Sequence, residues 1–235
     1  MPLWDKPIYN LKTKAGKPVI IDVTLSVNPY LEPNRAITDV INFFERREVS
    51  TVIDFGGGAL RHTFPLLKRG FQVWAVDFEE QYSSDEAKRI CRQKRQKAEA
   101  HPNFSKLVYP DDFVKDTQTF DAALLLYTFQ GMPLAKERRR VLHLLHKKLK
   151  PRSYIVWMSR YDGEKLPNAQ KVEDGYYKNP KAKRHSFYRE WKTAEIHKMM
   201  VEIGWRKSFH HLKSLGAGGR DQIFVYSRKK KETWI

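Results

Sequence analysis

The sequence predicts an α/β fold built on a parallel sheet, and three observations carry that reading. Short β-branched and apolar runs alternate with segments of helical period, the rhythm of right-handed βαβ units. One of those runs, Thr51–Phe55, opens directly into three glycines, Gly56-Gly57-Gly58. Near the end of the chain the rhythm changes to two apolar runs separated by "GAGG", which reads as an antiparallel strand pair.

The elements follow in order. "PVIIDVTLSV" (18–27) reads as a strand, and "NRAITDVINFFERRE" (34–48) as an amphipathic helix. "NPYLEPN" (28–34) between them reads as a turn. "TVIDFGG" is a buried strand ended by glycine, and "ALRHTFPLLKRG" is a helix with Pro65 early in it and Gly70 as C-cap. "FQVWAVDF" gives a second sheet strand. "SSDEAKRICRQKRQKAEA" gives a helix opened by Ser84 and acidic residues. "FSKLVYPDDF" holds the third strand. "FDAALLLYTF" is the fourth, apolar enough to be covered on both faces. "AKERRRVLHLLHKKLKPR" is an amphipathic helix ended by Pro151, and "SYIVWMSRY" is the fifth strand. The polar, basic and aromatic stretch at about 162–187 interrupts the pattern and reads as an inserted loop or cap. A helix, "TAEIHKMMVEIGW", and the closing strand pair then follow. This divides the chain into an N-terminal strand or lid segment (1–34), a main domain (35–228) and a basic tail (229–235).

Composition narrows the class. The chain has 235 residues, 41% of them hydrophobic, enough for a substantial core. A single cysteine, Cys91, excludes an internal disulfide and a multi-cysteine zinc site, and suits a reducing compartment. No stretch has the make-up of a secretory signal or the length of a bilayer span, so the expectation is a cytoplasmic protein with no membrane partner. Lys and Arg total 44 against 27 Asp and Glu, a net charge of +17 with a pI near 9.8. A field of that sign concentrates polyanions, so nucleic acid is the first partner to expect. The alternative is a basic surface with no such partner. A protein partner is compatible with the sequence, and the oligomeric state is not legible in it.

The glycines locate the chemistry. Glycine at a strand–helix turn lets backbone approach a ligand. Gly56 and Gly58 supply G-x-G, but Arg61 stands where a dinucleotide fingerprint needs its third glycine, and no Gly-Lys-Ser/Thr of a P-loop follows. Asp54 stands just before the glycines. A carboxylate there is a poor neighbour for a pyrophosphate and a good one for a cation or for the donors of an amino acid. Asp77 ends the second sheet strand, 23 positions later, close to the spacing between a glycine loop and a ribose-binding acid. The competing reading of Asp54 and Asp77 is that they cap helices or turns.

The run "DFGGGA", with "VWAVDF", "PDDF" and "LLLYTFQGMP" in order after it, resembles the motifs of the class I S-adenosylmethionine-dependent methyltransferases. The resemblance covers roughly residues 35–228. Leu60 replaces a glycine often found there. It implies a three-layer, doubly wound, seven-stranded, mostly parallel sheet with an antiparallel last strand, and S-adenosyl-L-methionine as cofactor. It further implies that Gly56, Gly57 and Gly58 curl round the methionine portion and that Asp54 lies near its ammonium group. Asp77 would then hold the ribose hydroxyls, with Phe78 against the adenine. Asp112, or else Asp111, would meet the adenine amino group with Phe113 beside the ring. Substrate-facing groups are implied at the end of the fourth strand, where Tyr127 and Gln130 are the candidates, Tyr127 also bordering the cofactor. Tyr30, Tyr161 and His185 could approach as lid residues.

No signature names the acceptor. Tyr127-Thr128-Phe129-Gln130 departs from the Asp/Asn-Pro-Pro-Tyr/Phe motif of amino-methylating nucleic-acid enzymes, and "NPY" at 28–30 lies upstream of the glycines. Cys91 lies in a basic helix, far from the expected site, and reads as inert rather than nucleophilic. His143 and His146 read as packing or surface residues. His210 and His211 point to opposite faces of a strand, a poor metal site. The sequence therefore predicts methyl transfer to nucleic acid. The alternatives are a small-molecule or protein acceptor on the same fold, or a cofactor-binding subunit without turnover.

Overall fold

The computed structural model describes residues 7–160, 169–177, 182–207 and 221–228. The chain opens with a hairpin, β1 (Ile8–Lys12) and β2 (Pro18–Asp22), paired antiparallel. The first of these strands was not expected, and the second ends earlier than expected. The cause is Asp22, whose side chain accepts from the Thr24 amide and hydroxyl and turns the chain into a 3-10 helix at Val23–Ser26. After the 28–34 turn come α1 (Ala36–Glu45), β3 (Thr51–Phe55), α2 (Thr63–Lys68) and β4 (Gln72–Val76). Then follow α3 (Arg89–Glu99), β5 (Phe104–Val108), α4 (Pro110–Lys115), β6 (Phe120–Leu126), α5 (Thr128–Gly131), α6 (Ala135–Lys148) and β7 (Leu149–Arg160). Short strands β8 (Gln170–Val172), β9 (Gly175–Tyr177) and β10 (Phe187–Tyr188) precede α7 (Thr193–Glu202), β11 (Trp205–Lys207) and β12 (Asp221–Arg228). The cap expected at Ser84 is Asp85, which accepts from the Ala87 amide and opens a 3-10 turn before α3.

Seven strands form the main sheet in the order β11-β12-β7-β6-β3-β4-β5. β3 to β7 run parallel, and β12 is antiparallel to both β7 and β11. The α/β class, the seven strands and the antiparallel last strand are thus as the sequence predicts. β6 shows why its sequence is so apolar. Ala123 and Leu125 pack into the core on one face with Ile53, Phe55 and Trp157, while Ala122, Leu124 and Leu126 pack on the other with Val52, Ala75 and Val156. Each buried leucine, valine or isoleucine among them contributes about 1.5–3 kcal/mol, and each alanine less.

The direction in which successive strands are added reverses at β3, whose neighbours are β4 on one side and β6 on the other. Ligand sites of open α/β sheets lie at such a switch point, outside the carboxyl ends of the strands. The glycines after β3 and Tyr127 after β6 both fall there.

The described part of the expected insert folds as a small antiparallel sheet, β10-β9-β8. It joins the N-terminal hairpin through bridges between Thr13 and Val172 and between Ile21 and His185. Tyr161, His210, His211 and the 229–235 tail lie outside the described residues. No helix among the described residues is long and apolar enough to cross a membrane.

Candidate cofactor and acceptor site

The glycine loop is shaped by what presses on it. Gly56 has φ +75°, and a Cβ there would lie 2.4 Å from Thr128 Cγ2. The missing side chain lets Thr128 approach and donate its hydroxyl to the Phe55 carbonyl at 2.7 Å, locking the loop after β6 onto the loop after β3. Gly58, with φ +55°, donates its amide to Asp77 Oδ2 at 2.5 Å. The Phe78 amide donates to Asp77 Oδ1 at 2.7 Å. Each carboxylate oxygen of Asp77 therefore has one backbone donor and a lone pair to spare.

Asp77 lines a cavity of about 160 Å³ together with Gly56, Gly57, Gly58, Phe78 and Gln81. The N-terminal segment covers it through Val23, Thr24, Ser26, Val27, Asn28 and Leu31, a contribution the sequence did not disclose. Burial pushes the Asp77 carboxyl up to about 6, against the two amide bonds that hold it down. An adenosyl group fits these residues. The carboxylate offers two free acceptor directions for a diol, and the glycine backbone leaves space that side chains would fill.

Asp54 lies elsewhere than implied. It is almost fully buried behind Gly57, accepts the Thr63 hydroxyl at 2.6 Å and does not line the cavity. Burial pushes its carboxyl up to about 6 as well. Asp111, Asp112 and Phe113 also depart from expectation. Pro110 starts α4 directly after β5, so Asp111 and Asp112 fall in the first helical turn and point to solvent; Asp112 sits 3.6 Å from Lys115. Phe113 then turns inward, fully buried against Phe55 and Phe120. None of the three borders the cavity.

A second cavity, of about 440 Å³, adjoins the first. The two share Ser26, Leu31, Arg61, Tyr127 and Gly131. Tyr127, in the left-handed region at φ +61°, stands at the junction. Its hydroxyl accepts from Asn34 Nδ2 at 2.8 Å and is hydrogen-bonded to the Asp221 carboxylate. Asn34 also donates to Asp221 Oδ2 at 3.0 Å. Burial, with Asp221 beside it, raises the phenol well above its usual range. Gln130 lines the second cavity but not the first, and its Oε1 accepts the Arg160 amide at 3.3 Å.

Two residues that sequence reasoning passed over complete the junction. His62 stacks on Tyr127 with ring centroids 6.5 Å apart, and its Nε2 accepts the Asn34 amide at 3.4 Å. Burial, with Arg61 beside it, pushes His62 down to about 3, so it is neutral at physiological pH. Arg61 lies over the Tyr127 ring at 5.4 Å. The only sequence signal for either was their place just after the glycines.

The remaining candidates are placed as follows. Tyr30 is exposed and lines neither cavity. His185 is buried against Tyr177, away from both. Cys91 is nearer the site than expected, one layer behind the cavity, where its sulfur accepts from Gln81 Nε2 at 3.1 Å. His146 packs edge-on against Trp205. Among the described residues no group of three or more His, Cys, Asp or Glu could hold a metal ion.

Strand order and switch-point cavity together define the class I S-adenosylmethionine-dependent methyltransferase fold. Solved structures bear this out. A SAM-dependent methyltransferase from Methanosarcina mazei superposes with TM-score 0.59 at 15% identity, over 85% of this chain and 99% of its own. The CcbJ methyltransferase of Streptomyces caelestis gives 0.59 at 17% identity, over 87% and 93%. The 1,6-didemethyltoxoflavin-N1-methyltransferase of Burkholderia thailandensis gives 0.59 at 16%, over 84% and 80%. No family model matches the sequence, and no curated protein matches it.

Proposed function

We propose that this chain is an S-adenosyl-L-methionine-dependent methyltransferase whose acceptor enters the second cavity. The observation that carries this reading is the junction at Tyr127 and Arg61. There a cavity floored by glycine backbone and Asp77 meets a second, larger one. The cofactor supplies an activated methyl group for in-line displacement. The residues of this chain supply position: Asp77 for the ribose, Phe78 for the adenine, and the 23–31 segment to exclude water. Where the acceptor must lose a proton, Glu32 and Asp221 are the carboxylates on the wall of the second cavity, and Asp221 is the one beside Tyr127 at the junction.

A cavity of this size suits a small molecule or a single group reaching in from a larger one. By name, the toxoflavin-precursor enzyme and a magnesium protoporphyrin IX methyltransferase of Synechocystis, both of this fold, act on small molecules, which supports a small acceptor. The net charge of +17 favours a second reading, in which the acceptor belongs to nucleic acid. Incubation with methyl-labelled cofactor and separate metabolite, DNA, RNA and protein fractions tests both. Label in the metabolite fraction is the expected result. Label in DNA or RNA, with binding that falls steeply with salt, supports the second reading. Label in no fraction contradicts the proposed activity.

A further inference from the structure

Among the described residues, the second cavity is lined by more basic than acidic side chains. Arg35, Arg61 and Arg160 line it, against Glu32 and Asp221. Asp221 is already engaged by Asn34 and Tyr127, and Glu32 is exposed. Arg61 is the most constrained of the three arginines. It is only partly exposed, its cation lies over the Tyr127 ring, and it forms no hydrogen bond or ion pair with a described residue. Burial is the main influence against its charge, with Arg160 adding to it, while Tyr127, Asp54 and Asp221 act in its favour without a hydrogen bond to it. A partly buried guanidinium has a planar fork of donors, and leaving them without acceptors is costly. Carboxylate and phosphate are the groups that match this fork.

We infer that the second cavity takes an acceptor bearing an oxyanion, carboxylate or phosphate, held by Arg61 at the junction with Arg35 and Arg160 around it. The inference rests on the reading of that cavity as the acceptor site. The rival ligand for Arg61 is the carboxylate of the cofactor's methionine portion. Arg35 and Arg160 decide against it, since both line the second cavity and neither lines the first.

The test is calorimetric titration of the full chain, saturated with S-adenosylhomocysteine, with phenyl phosphate, benzoate and neutral benzamide. At least one of the two anions is expected to bind about tenfold or more tighter than benzamide. Arg61→Met should lose about tenfold in anion affinity, with Arg61→Lys intermediate because an ammonium keeps the charge and loses the fork. The Arg61→Met affinity for S-adenosylhomocysteine should stay within about threefold of the unsubstituted chain. If neither anion binds better than benzamide, the inference is overturned. It is also overturned if Arg61→Met weakens S-adenosylhomocysteine and leaves 5′-methylthioadenosine, which lacks the carboxylate, unaffected. Competition between a short single-stranded oligonucleotide and phenyl phosphate supports a nucleic-acid phosphate as the oxyanion; absence of competition supports a free one. Failure to bind S-adenosylhomocysteine at all would strike the proposed function instead.

Discussion

At the scale of single residues, the site turns on a side chain that is missing. Gly56 has a positive φ, and Thr128 occupies the space its Cβ would need. Replacing Gly56 with Ala adds backbone strain and displaces Thr128 from the Phe55 carbonyl. Destabilisation of about 1–3 kcal/mol is expected, read by chemical denaturation, with a larger loss of cofactor affinity than of stability. Unchanged stability would show that the loop is held some other way. The two acids that frame this loop look alike in the sequence and are used differently. Asp77 keeps acceptor capacity toward the cavity, whereas Asp54 spends its capacity on Thr63 behind the loop. The spacing between strand-end acids located both residues. It did not reveal that the Thr63 hydroxyl, nine residues on, would claim one of them.

At the scale of elements, a buried cation helps to fasten the small sheet to the body. Arg138 of α6 is almost fully buried and donates to the Met132 carbonyl at 2.5 Å, to the Pro133 carbonyl at 3.2 Å and to Asp174 in the turn between β8 and β9. Arg189 reaches the same carboxylate, and both guanidinium groups lie over the Trp191 ring, at 5.3 Å and 4.1 Å. Arg138→Met should cost about 1–3 kcal/mol, because two carbonyls and part of Asp174 lose their donor. Arg138→Lys should recover little of this, since one ammonium cannot span the three acceptors. The measurement is thermal unfolding of the full chain; a stability equal to that of the unsubstituted protein would contradict the role. In sequence Arg138 is one of three consecutive arginines in an amphipathic helix, with nothing local to set it apart from the other two. The burial of Arg138 depends on Asp174 and Trp191, partners 36 and 53 positions away, and local pattern does not reach that far. The same limit hid the role of the N-terminal segment. "NPYLEPN" was legible as a turn, but Asn34 takes its meaning from Tyr127 and Asp221, which only the tertiary fold brings to it.

At the scale of the whole molecule, the sheet was the most legible part. Buried parallel strands are continuous apolar runs, and their alternation with helices leaves few topologies open. That Gly56, Gly57, Gly58 and Asp77 come together at one cavity was legible, because backbone approach and strand-end position are written locally. Phe113 was misplaced because one helical turn, started by Pro110, rotates it from the cavity into the core. The second cavity was hardly legible, since its three arginines come from three separate places: the entry to α1, the loop after β3 and the end of β7. The central claim is that the glycine loop and Asp77 grip an adenosyl group. The most direct measurement is calorimetric titration with S-adenosylhomocysteine at about pH 7.5 and pH 5, on the unsubstituted chain and on Asp77→Ala. Asp77 titrates at about 6, so it is ionised at the higher pH and mostly protonated at the lower, where it accepts less well. The account predicts binding that weakens by about tenfold at the lower pH, and a loss of about 1–3 kcal/mol on removing the carboxylate. Absence of binding, or binding indifferent to both pH and the Asp77 substitution, would contradict it.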